Sequence, residues 1–358
     1  MSSALTPTSA SIGRVSSTPS GREAKTSSVL AGDIGGTNSR LALYETDLRS
    51  VATSAGREAL KPIRAATFPS REHGGLEEVI ARFLGTDAGP IAAAAFGIAG
   101  PVVDDAVVTT NLPWHIRASS LRTKLGTPHV RLLNDLEATA YGALVLPADK
   151  LHALNAGVAR TGNRAVIAAG TGLGQALLFW DGTRHVPVAT EGGHTDFAPR
   201  DEVEHDLLRW LERKYDGHIS YERTVSGHGL VNIFTFLDEH AHMPVSAETR
   251  RRLEHEDPAK VIGQLGTTGG CATAVAAVER FVGIYGAQAG NLALTVMATG
   301  GVYVGGGIVN KMFAVMTNGA FMQAFKAKGR YERLMSEIPV WIIRDPDAGL
   351  HGAAHVAA

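Results

Sequence analysis

Cysteine is nearly absent from this sequence, and neither sign of charge is in excess. Cys271 is the single cysteine among 358 residues, which excludes an internal disulfide framework and a cysteine-rich zinc site. Lysine and arginine total 34 against 35 aspartates and glutamates, for a formal net charge of −1. Such a balance gives no electrostatic footprint for a nucleic acid. We therefore predict no nucleic-acid partner, and the lone cysteine fits a reducing, cytoplasmic location.

Long uninterrupted apolar runs are also missing. Ile91 to Val103 is too short, and Leu292 to Val309 too rich in glycine, to predict a membrane-spanning helix. The first 28 residues are rich in serine and threonine and lack the apolar stretch of a signal peptide. We expect no membrane segment, and we expect residues 1–28 to form a disordered extension.

Three familiar catalytic signatures are absent as well. The sequence has no complete G-x-x-x-x-G-K-[ST], no G-x-G-x-x-G and no H-E-x-x-H. These absences argue against a P-loop nucleotide hydrolase, a Rossmann dehydrogenase and a zinc hydrolase. We accordingly expect no zinc, nicotinamide or flavin cofactor.

Two similar glycine turns between apolar strands are present instead. The first hairpin, Val29 to Tyr44, turns through Gly35-Gly-Thr-Asn38, and the second, Val166 to Trp180, turns through Gly170 to Gly174. Two alike hairpins in one chain indicate an internal duplication, and the length exceeds that of one hydrophobic core. The sequence therefore predicts two related α/β domains whose glycine turns face each other across a cleft.

Hydrophobic periodicity and capping residues fill in the elements around these hairpins. Further strands are expected at Ile91 to Phe96, His129 to Leu133 and Pro339 to Ile343. Helices are expected at Leu76 to Leu84, Ser119 to Leu125, Leu136 to Leu146, Asp201 to Tyr215, Gly229 to Glu239 and Thr273 to Met297. We predict a small α/β domain over residues 29–136, completed by a C-terminal helix at about 345–358, and a larger, more helical domain over residues 137–344.

The first glycine turn is a candidate phosphate site. Glycines let backbone N–H groups converge on phosphate oxygens, the Thr37 hydroxyl adds a donor, and the Asp33 carboxylate can hold Mg²⁺ through water. An ordinary tight hairpin is the alternative interpretation. Gly170 to Gly174 carries the same two interpretations, and the repetition of the turn favours phosphate binding.

Several polar residues lie where a ligand could reach them. Asn134-Asp135 follows an apolar strand, and polar groups at the carboxyl end of a strand face the crevice where α/β proteins bind ligands. Helix capping is the alternative for this pair. In Glu191-Gly-Gly-His194, two glycines let a carboxylate and an imidazole approach one ligand, as a sugar requires. Glu222 and Asn111 add hydrogen-bonding groups, although an exposed first-turn glutamate and a turn asparagine are their simpler interpretations.

Taken in order, these segments resemble the bacterial glucokinase family. The matching segments are Gly-Asp-Ile-Gly-Gly-Thr-Asn, Thr-Asn-Leu-Pro-Trp, Leu-Asn-Asp, Gly-Thr-Gly-Leu-Gly, Glu-Gly-Gly-His, Ser-Gly-His-Gly-Leu and Gly-Gly-Gly-Ile, and the resemblance extends from Val29 to His355. It implies the fold shared by actin, hexokinases and the heat-shock chaperone ATPases. It also implies transfer of the γ-phosphoryl group of MgATP to the 6-hydroxyl of glucose, the first step of glycolysis, by a homodimer.

The resemblance assigns roles to particular positions. Asp135 becomes the general base, and Asp33 binds magnesium through water. The implied sugar ligands are Asn111, Asn134, Asp135, Glu191, His194 and Glu222. The implied nucleotide-binding residues are Gly32, Asp33, Ile34, Gly35, Gly36, Thr37, Gly170, Thr171, Gly172, Gly305 and Gly306.

Three other functions compete with this one. A related sugar kinase for another hexose or an amino sugar would usually carry a zinc-binding cysteine cluster, which one cysteine cannot form. A sugar-sensing DNA-binding regulator needs a helix-turn-helix and a basic face, and the N-terminal extension provides neither. A nucleotide switch of the chaperone type would hydrolyse ATP without a sugar acceptor.

Overall fold

A computed structural model describes residues 27–46, 60–86, 89–109 and 112–358. The first part of the chain forms β1 (Ser27–Ile34), β2 (Asn38–Thr46), β3 (Arg64–Pro69), α1 (Leu76–Leu84), β4 (Ile91–Ile98), β5 (Ala106–Val108), β6 (His115–Arg117), α2 (Ala118–Leu125), β7 (Val130–Asn134) and α3 (Asp135–Val145). The second part begins with β8 (Leu151–Asn155), β9 (Arg164–Ala169), β10 (Leu173–Trp180), β11 (His185–Thr190), α4 (Glu202–Tyr215), α5 (Gly227–Glu239), α6 (Ala247–His255), α7 (Pro258–Thr268) and α8 (Ala272–Thr295). It continues through β12 (Gly301–Gly305), α9 (Gly307–Lys311), α10 (Phe313–Met316), α11 (Ala320–Lys326), α12 (Glu332–Glu337), β13 (Val340–Ile343) and α13 (Ala348–Ala357).

The two large sheets repeat one topology. The first has the order β3-β2-β1-β4-β7, and the second has the order β11-β10-β9-β12-β13 with β8 added beyond β13. In each sheet the first three strands of the repeat pair antiparallel, and the next two continue parallel to the hairpin's first strand. The predicted fold, two actin-like and hexokinase-like α/β domains with a duplicated hairpin, is confirmed.

Helices α3 and α13 lie between the sheets. Ala138 of α3 and Leu350 of α13 pack on the first sheet, whereas Ala140 of α3 and Ala348 of α13 pack on the second. A helix covered on both sides needs small apolar residues around its whole circumference, which explains the alanine-rich sequence of α3. The backbones cross so closely that a Cβ atom at Gly352 would overlap the Ala138 carbonyl oxygen.

Each domain has its own core on the outer face of its sheet. Phe83 of α1, Phe96 and Trp114 belong to the core of the first domain. In the second domain α5, α7, α8 and α11 cover the sheet around Phe281 and Phe321. The second domain is the larger and more helical of the two.

The predicted helices form at or near their expected bounds. Asp201 caps α4 by accepting the Glu204 N–H, and Ser226 caps α5 by accepting the Gly229 N–H. Helices α6, α7 and α9 to α12 and strands β3, β5, β6, β8 and β11 were not predicted. Within the described residues, no single helix has the length and apolarity to cross a membrane; the pair α7 and α8, bent by 97° at their break, meets that test only jointly, by length and composition.

Candidate active site

Three acidic side chains converge where the carboxyl ends of the first sheet's parallel strands face the second domain. Asp33 lies near the end of β1, Asp135 begins α3 directly after β7, and Glu191 follows β11. Asp33 and Glu191 both lie close enough for their charges to act on Asp135. The hairpin of one domain, the helix between the domains and a loop of the other thus supply one acid each.

Asp135 is part-buried, and its environment favours a proton. Its pKa is raised to about 6, mainly by burial and in smaller part by the negative charges of Asp33 and Glu191. One carboxylate oxygen accepts the Leu136 N–H at 2.9 Å, which opposes the shift. A carboxylate with this pKa is ionised at neutral pH and is a better proton acceptor than an ordinary aspartate.

Asn134 is the N-cap of α3. Its Oδ1 accepts the N–H groups of Leu136 at 2.9 Å and Glu137 at 3.4 Å, and its Nδ2 donates to the Gly100 carbonyl at 3.1 Å. The capping interpretation of this residue is therefore correct. One Nδ2 hydrogen is left for a ligand, so Asn134 has less to offer a sugar than its sequence position indicates.

Arg40 links Asp33 to the segment before α13. Its Nη1 lies 3.6 Å from an Asp33 carboxylate oxygen, 3.5 Å from Asp347 and 3.0 Å from the Pro346 carbonyl oxygen, to which it donates. Burial raises the pKa of Asp33, Arg40 lowers it, and Asp347 raises it. Arg40 thereby holds two carboxylates side by side at the first glycine turn.

The oxygen donors around Asp33 fit a magnesium ion that is held partly by water and substrate phosphates. Mg²⁺ keeps several waters and is commonly held by one or two carboxylates together with substrate phosphates. Asp33 supplies such a carboxylate beside the turn, with Asp347 nearby. Across the described residues, no group of three or more His, Cys, Asp or Glu side chains is arranged to hold a metal ion. The geometry suits an ion that arrives with phosphates.

The first glycine turn is closed by the backbone and held from below. The Gly35 N–H donates to the Asn38 carbonyl oxygen at 2.9 Å, and the Ser70 hydroxyl donates to the Gly35 carbonyl oxygen at 2.7 Å. Thr37 is exposed at the tip, whereas Gly32 is buried within β1. Asn111 lies outside the described residues, but its neighbours Thr109 and Leu112 form a groove with the turn.

The second glycine turn contacts two other predicted segments. The Gly170 carbonyl oxygen accepts the Gly227 N–H at the start of α5, at 2.9 Å. Gly306 has a positive φ of 93°, and a Cβ atom there would overlap the Ala169 carbonyl, so this position requires glycine. The predicted nucleotide residues at 170–172 and 305–306 therefore lie side by side.

Glu222 bridges the second turn and the candidate sugar residues. Its Oε2 accepts the Leu173 N–H at 2.9 Å and packs against Gly172, and its other oxygen makes no hydrogen bond within the described part of the chain. The segment with Glu191 and His194 forms a short 3₁₀ turn, and both of these side chains are exposed. These three residues are thus available to a ligand at one edge of the second domain.

The glucokinase family model matches residues 30–358. The chain belongs to the glucokinase family. It is 39% identical to a glucokinase of Nostoc punctiforme, over 92% of this chain and 98% of that one. Among solved structures, it matches a glucokinase from an Antarctic psychrotroph with a TM-score of 0.79 and 30% identity, over 92% and 98% of the two chains. A ROK family glucokinase from Streptomyces griseus, solved with glucose and AMPPNP, has the same fold at a TM-score of 0.60 and 20% identity, over 92% and 99%.

Two residues of this glucokinase-family site were missed from the sequence. Asp347 follows the last strand of the second sheet, and the strand-end rule that identified Asn134-Asp135 applies equally to the segment Asp345-Pro-Asp. Arg40 had a weaker signal, because an arginine inside a strand next to a glycine turn is usually a solvated side chain.

Proposed function

We propose that this chain is an ATP-dependent glucokinase that phosphorylates the 6-hydroxyl of D-glucose, giving glucose 6-phosphate and ADP. Membership of the glucokinase family supports the activity. The observation that carries the mechanism is the position of Asp135, whose raised pKa of about 6 and neighbours Asp33 and Glu191 mark it as the general base.

Asp135 takes the proton from the sugar 6-hydroxyl while the oxygen of that hydroxyl bonds to the γ-phosphorus. The bond from that phosphorus to the bridging oxygen breaks, and ADP leaves. In such reactions the protein mainly positions the reactants and stabilises charge. A base of this kind contributes roughly 10²- to 10⁴-fold to the rate.

The other predicted residues position the two substrates. Asn111, Glu191, His194 and Glu222 hold the sugar hydroxyls, and Asn134 contributes its remaining amide hydrogen. The backbone N–H groups at 36–37 and 171–172 face the phosphates, whereas Gly35 and Gly170 close the two turns with their own N–H groups. Gly305 and Gly306 flank the adenine side. Asp33 would hold a magnesium ion that arrives with the phosphates, and that ion would neutralise phosphate charge. Gly32, buried within β1 against Phe96, supports the turn from within the strand.

A hexose panel tests this activity. Purified protein is given MgATP with glucose, mannose, fructose, glucosamine or N-acetylglucosamine, and ADP release is followed by a coupled assay. Glucose is expected to give the highest kcat/KM, whereas a higher value for another sugar, or ADP release without sugar, would contradict the proposal. Replacing ATP by polyphosphate in the same assay tests the phosphoryl donor. Light scattering measures the mass of the expected homodimer, and fractionation of cells tests the cytoplasmic location.

Asp135→Ala tests the catalytic role. We expect turnover to fall by about 10²- to 10⁴-fold while glucose affinity, measured by calorimetry, stays within about tenfold of wild type, because the base acts mainly in the transition state. Asp149→Ala, which changes an exposed aspartate of a short 3₁₀ helix after α3, is the control. Near-wild-type turnover in Asp135→Ala would refute the assignment.

A further inference from the structure

Tyr221 joins the two segments that carry most of the proposed sugar ligands. Its backbone N–H donates to the Thr195 carbonyl oxygen at 2.9 Å, and its hydroxyl oxygen accepts the Ala198 N–H. Its ring packs edge-on against Phe197, with 5.6 Å between centroids. The 191–198 loop and the turn that holds Glu222 are therefore fastened to each other through one buried side chain.

The Tyr221 hydroxyl is held in turn from α8. Asn291 donates from Nδ2 to the Tyr221 hydroxyl at 3.0 Å, and its Oδ1 accepts from the Lys328 ammonium at 2.7 Å. Lys328 also donates to the Ala287 carbonyl oxygen at 3.0 Å. A continuous chain of hydrogen bonds thus runs from Lys328, in the segment after α11, through α8 to the sugar-binding segments.

The path of the Lys328 side chain is built into α8. A Cβ atom at Gly290 would lie 2.8 Å from the Lys328 Cε, so the lysine stem lies in a groove that only a glycine leaves open. Burial, with a smaller contribution from Arg200, lowers the Lys328 pKa to about 8. The amine remains mostly protonated at pH 7 and has three hydrogens to donate, two of which are used here. A half-buried lysine with these partners differs from an ordinary solvated one.

We propose that Lys328 and Asn291 are positioning residues for glucose, which act through Tyr221 to hold the segments bearing Glu191, His194 and Glu222 in one arrangement. The inference rests on the proposed function of those three residues. Neither Lys328 nor Asn291 touches a substrate in this account. Their effect is to keep the sugar ligands from being reordered each time glucose binds.

Lys328→Met tests this inference by removing the charge and its hydrogen bonds while keeping the apolar stem. We expect the KM for glucose to rise by about three- to thirty-fold, the range seen when a remote residue alters a coupled site. The KM for ATP should rise much less, because the first glycine turn makes no contact with this chain of bonds and the second meets it only through Glu222. Lys326→Met is the matched control, since Lys326 ends α11 two residues away and its side chain makes no hydrogen bond or ion pair within the described residues. It should leave both constants unchanged.

A double-mutant cycle separates positioning from general damage. Tyr221→Phe removes only the hydroxyl and should raise the KM for glucose as Lys328→Met does, and the double variant should be no worse than the more affected single one. Lys328→Arg, which keeps charge and donors, should recover part of the affinity. The inference would be overturned if the two single-variant factors for the glucose KM multiplied in the double variant. It would also be overturned by an equal rise in both KM values or by an unchanged KM for glucose. Should wild type phosphorylate no hexose, the proposed function itself would fail instead.

Discussion

At the scale of single residues, the protonation of Asp135 links activity to stability. Its pKa in the folded protein, about 6, lies above its ordinary value of 3.8. The folded state therefore binds the proton more tightly than the unfolded state does. The resulting stabilisation is fully present below pH 4 and is lost as the pH rises through 6, so the ionised base destabilises the fold at neutral pH.

Asp135→Asn should therefore stabilise the fold while it removes the base. The amide keeps an oxygen for the Leu136 N–H but carries no charge, so the free energy of unfolding at pH 7.5 should rise by up to about 3 kcal/mol. The gain should shrink toward pH 4, where the wild-type carboxyl is itself protonated. Urea unfolding of both proteins at pH 4.5 and pH 7.5 measures this difference. A variant less stable than wild type at pH 7.5 would show that burial and the neighbouring acids do not oppose the ionisation of Asp135.

The sequence was sufficient to identify most of the candidate site residues but not to assign the role of each one. Asp135 and Asn134 are adjacent, and the same strand-end argument selects both. Only the structure shows that Asn134 caps the helix while Asp135 lies beside the other acids. Glu222 illustrates the same limit, because its partner Leu173 lies 49 positions away in sequence. Contacts over such distances leave no local pattern.

At the scale of elements, one tyrosine connects the strands that end in the candidate nucleotide-binding turns. The hydroxyl of Tyr285, fully buried on α8, accepts the Ala169 N–H at 3.2 Å and lies 3.1 Å from the Ile167 carbonyl oxygen and 3.2 Å from that of Gly305. These groups belong to the last residues of β9 and β12. Helix α8 thereby fixes the spacing of the strands directly below the second turn and the Gly305-Gly306 segment.

Tyr285→Phe should loosen that spacing. The Ala169 N–H loses its partner inside the core, and a buried unpaired donor costs about 1–3 kcal/mol of stability. We expect the KM for ATP to rise several-fold, with the KM for glucose little changed. Tyr303→Phe is the control, because the Tyr303 hydroxyl accepts a hydrogen bond from Arg164 on the other face of the same sheet. Equal changes in the two variants would argue against a specific role of Tyr285 in the nucleotide site.

The elements that could be predicted are those with a strong period or a clear cap. Helix α1 matches its predicted bounds because Leu76, Val79, Ile80 and Phe83 line one buried face. Strand β11 was missed because Pro187 argues against a strand, and its position at the edge of the sheet is what tolerates the proline. Helix α6 was missed because its sequence is largely polar and only Thr249 is buried.

At the scale of the whole molecule, the two sheets meet chiefly through α3 and α13. Both sugar and nucleotide candidates are divided between the domains, so a ligand that contacts both should favour a closed arrangement. Closure also keeps water, a competing nucleophile, from the γ-phosphate. The duplication was predicted from two similar hairpins, and a C-terminal helix was predicted to pack on the first domain, as α13 does. Its contact with the second sheet through Ala348 followed from no local signal.

Saturating glucose should reduce the radius of gyration of the protein in small-angle X-ray scattering. The expected cause is rotation of the domains about the α3–α13 crossing, where glycines allow the backbones close contact. A hexose that the panel shows not to be phosphorylated is the control. Identical scattering with and without glucose would contradict closure.

Helix α13 has a consequence for biosynthesis. It covers Val29, Ala31 and Tyr44 of the opening hairpin, yet the ribosome makes it after every other element that the structure describes. Helix α3, which is made earlier, covers part of this face through Ala138, and the rest of the apolar face stays bare until α13 has been made. Chaperones are expected to bind this exposed apolar surface during synthesis. A fusion partner that delays the docking of α13 would prolong the exposure.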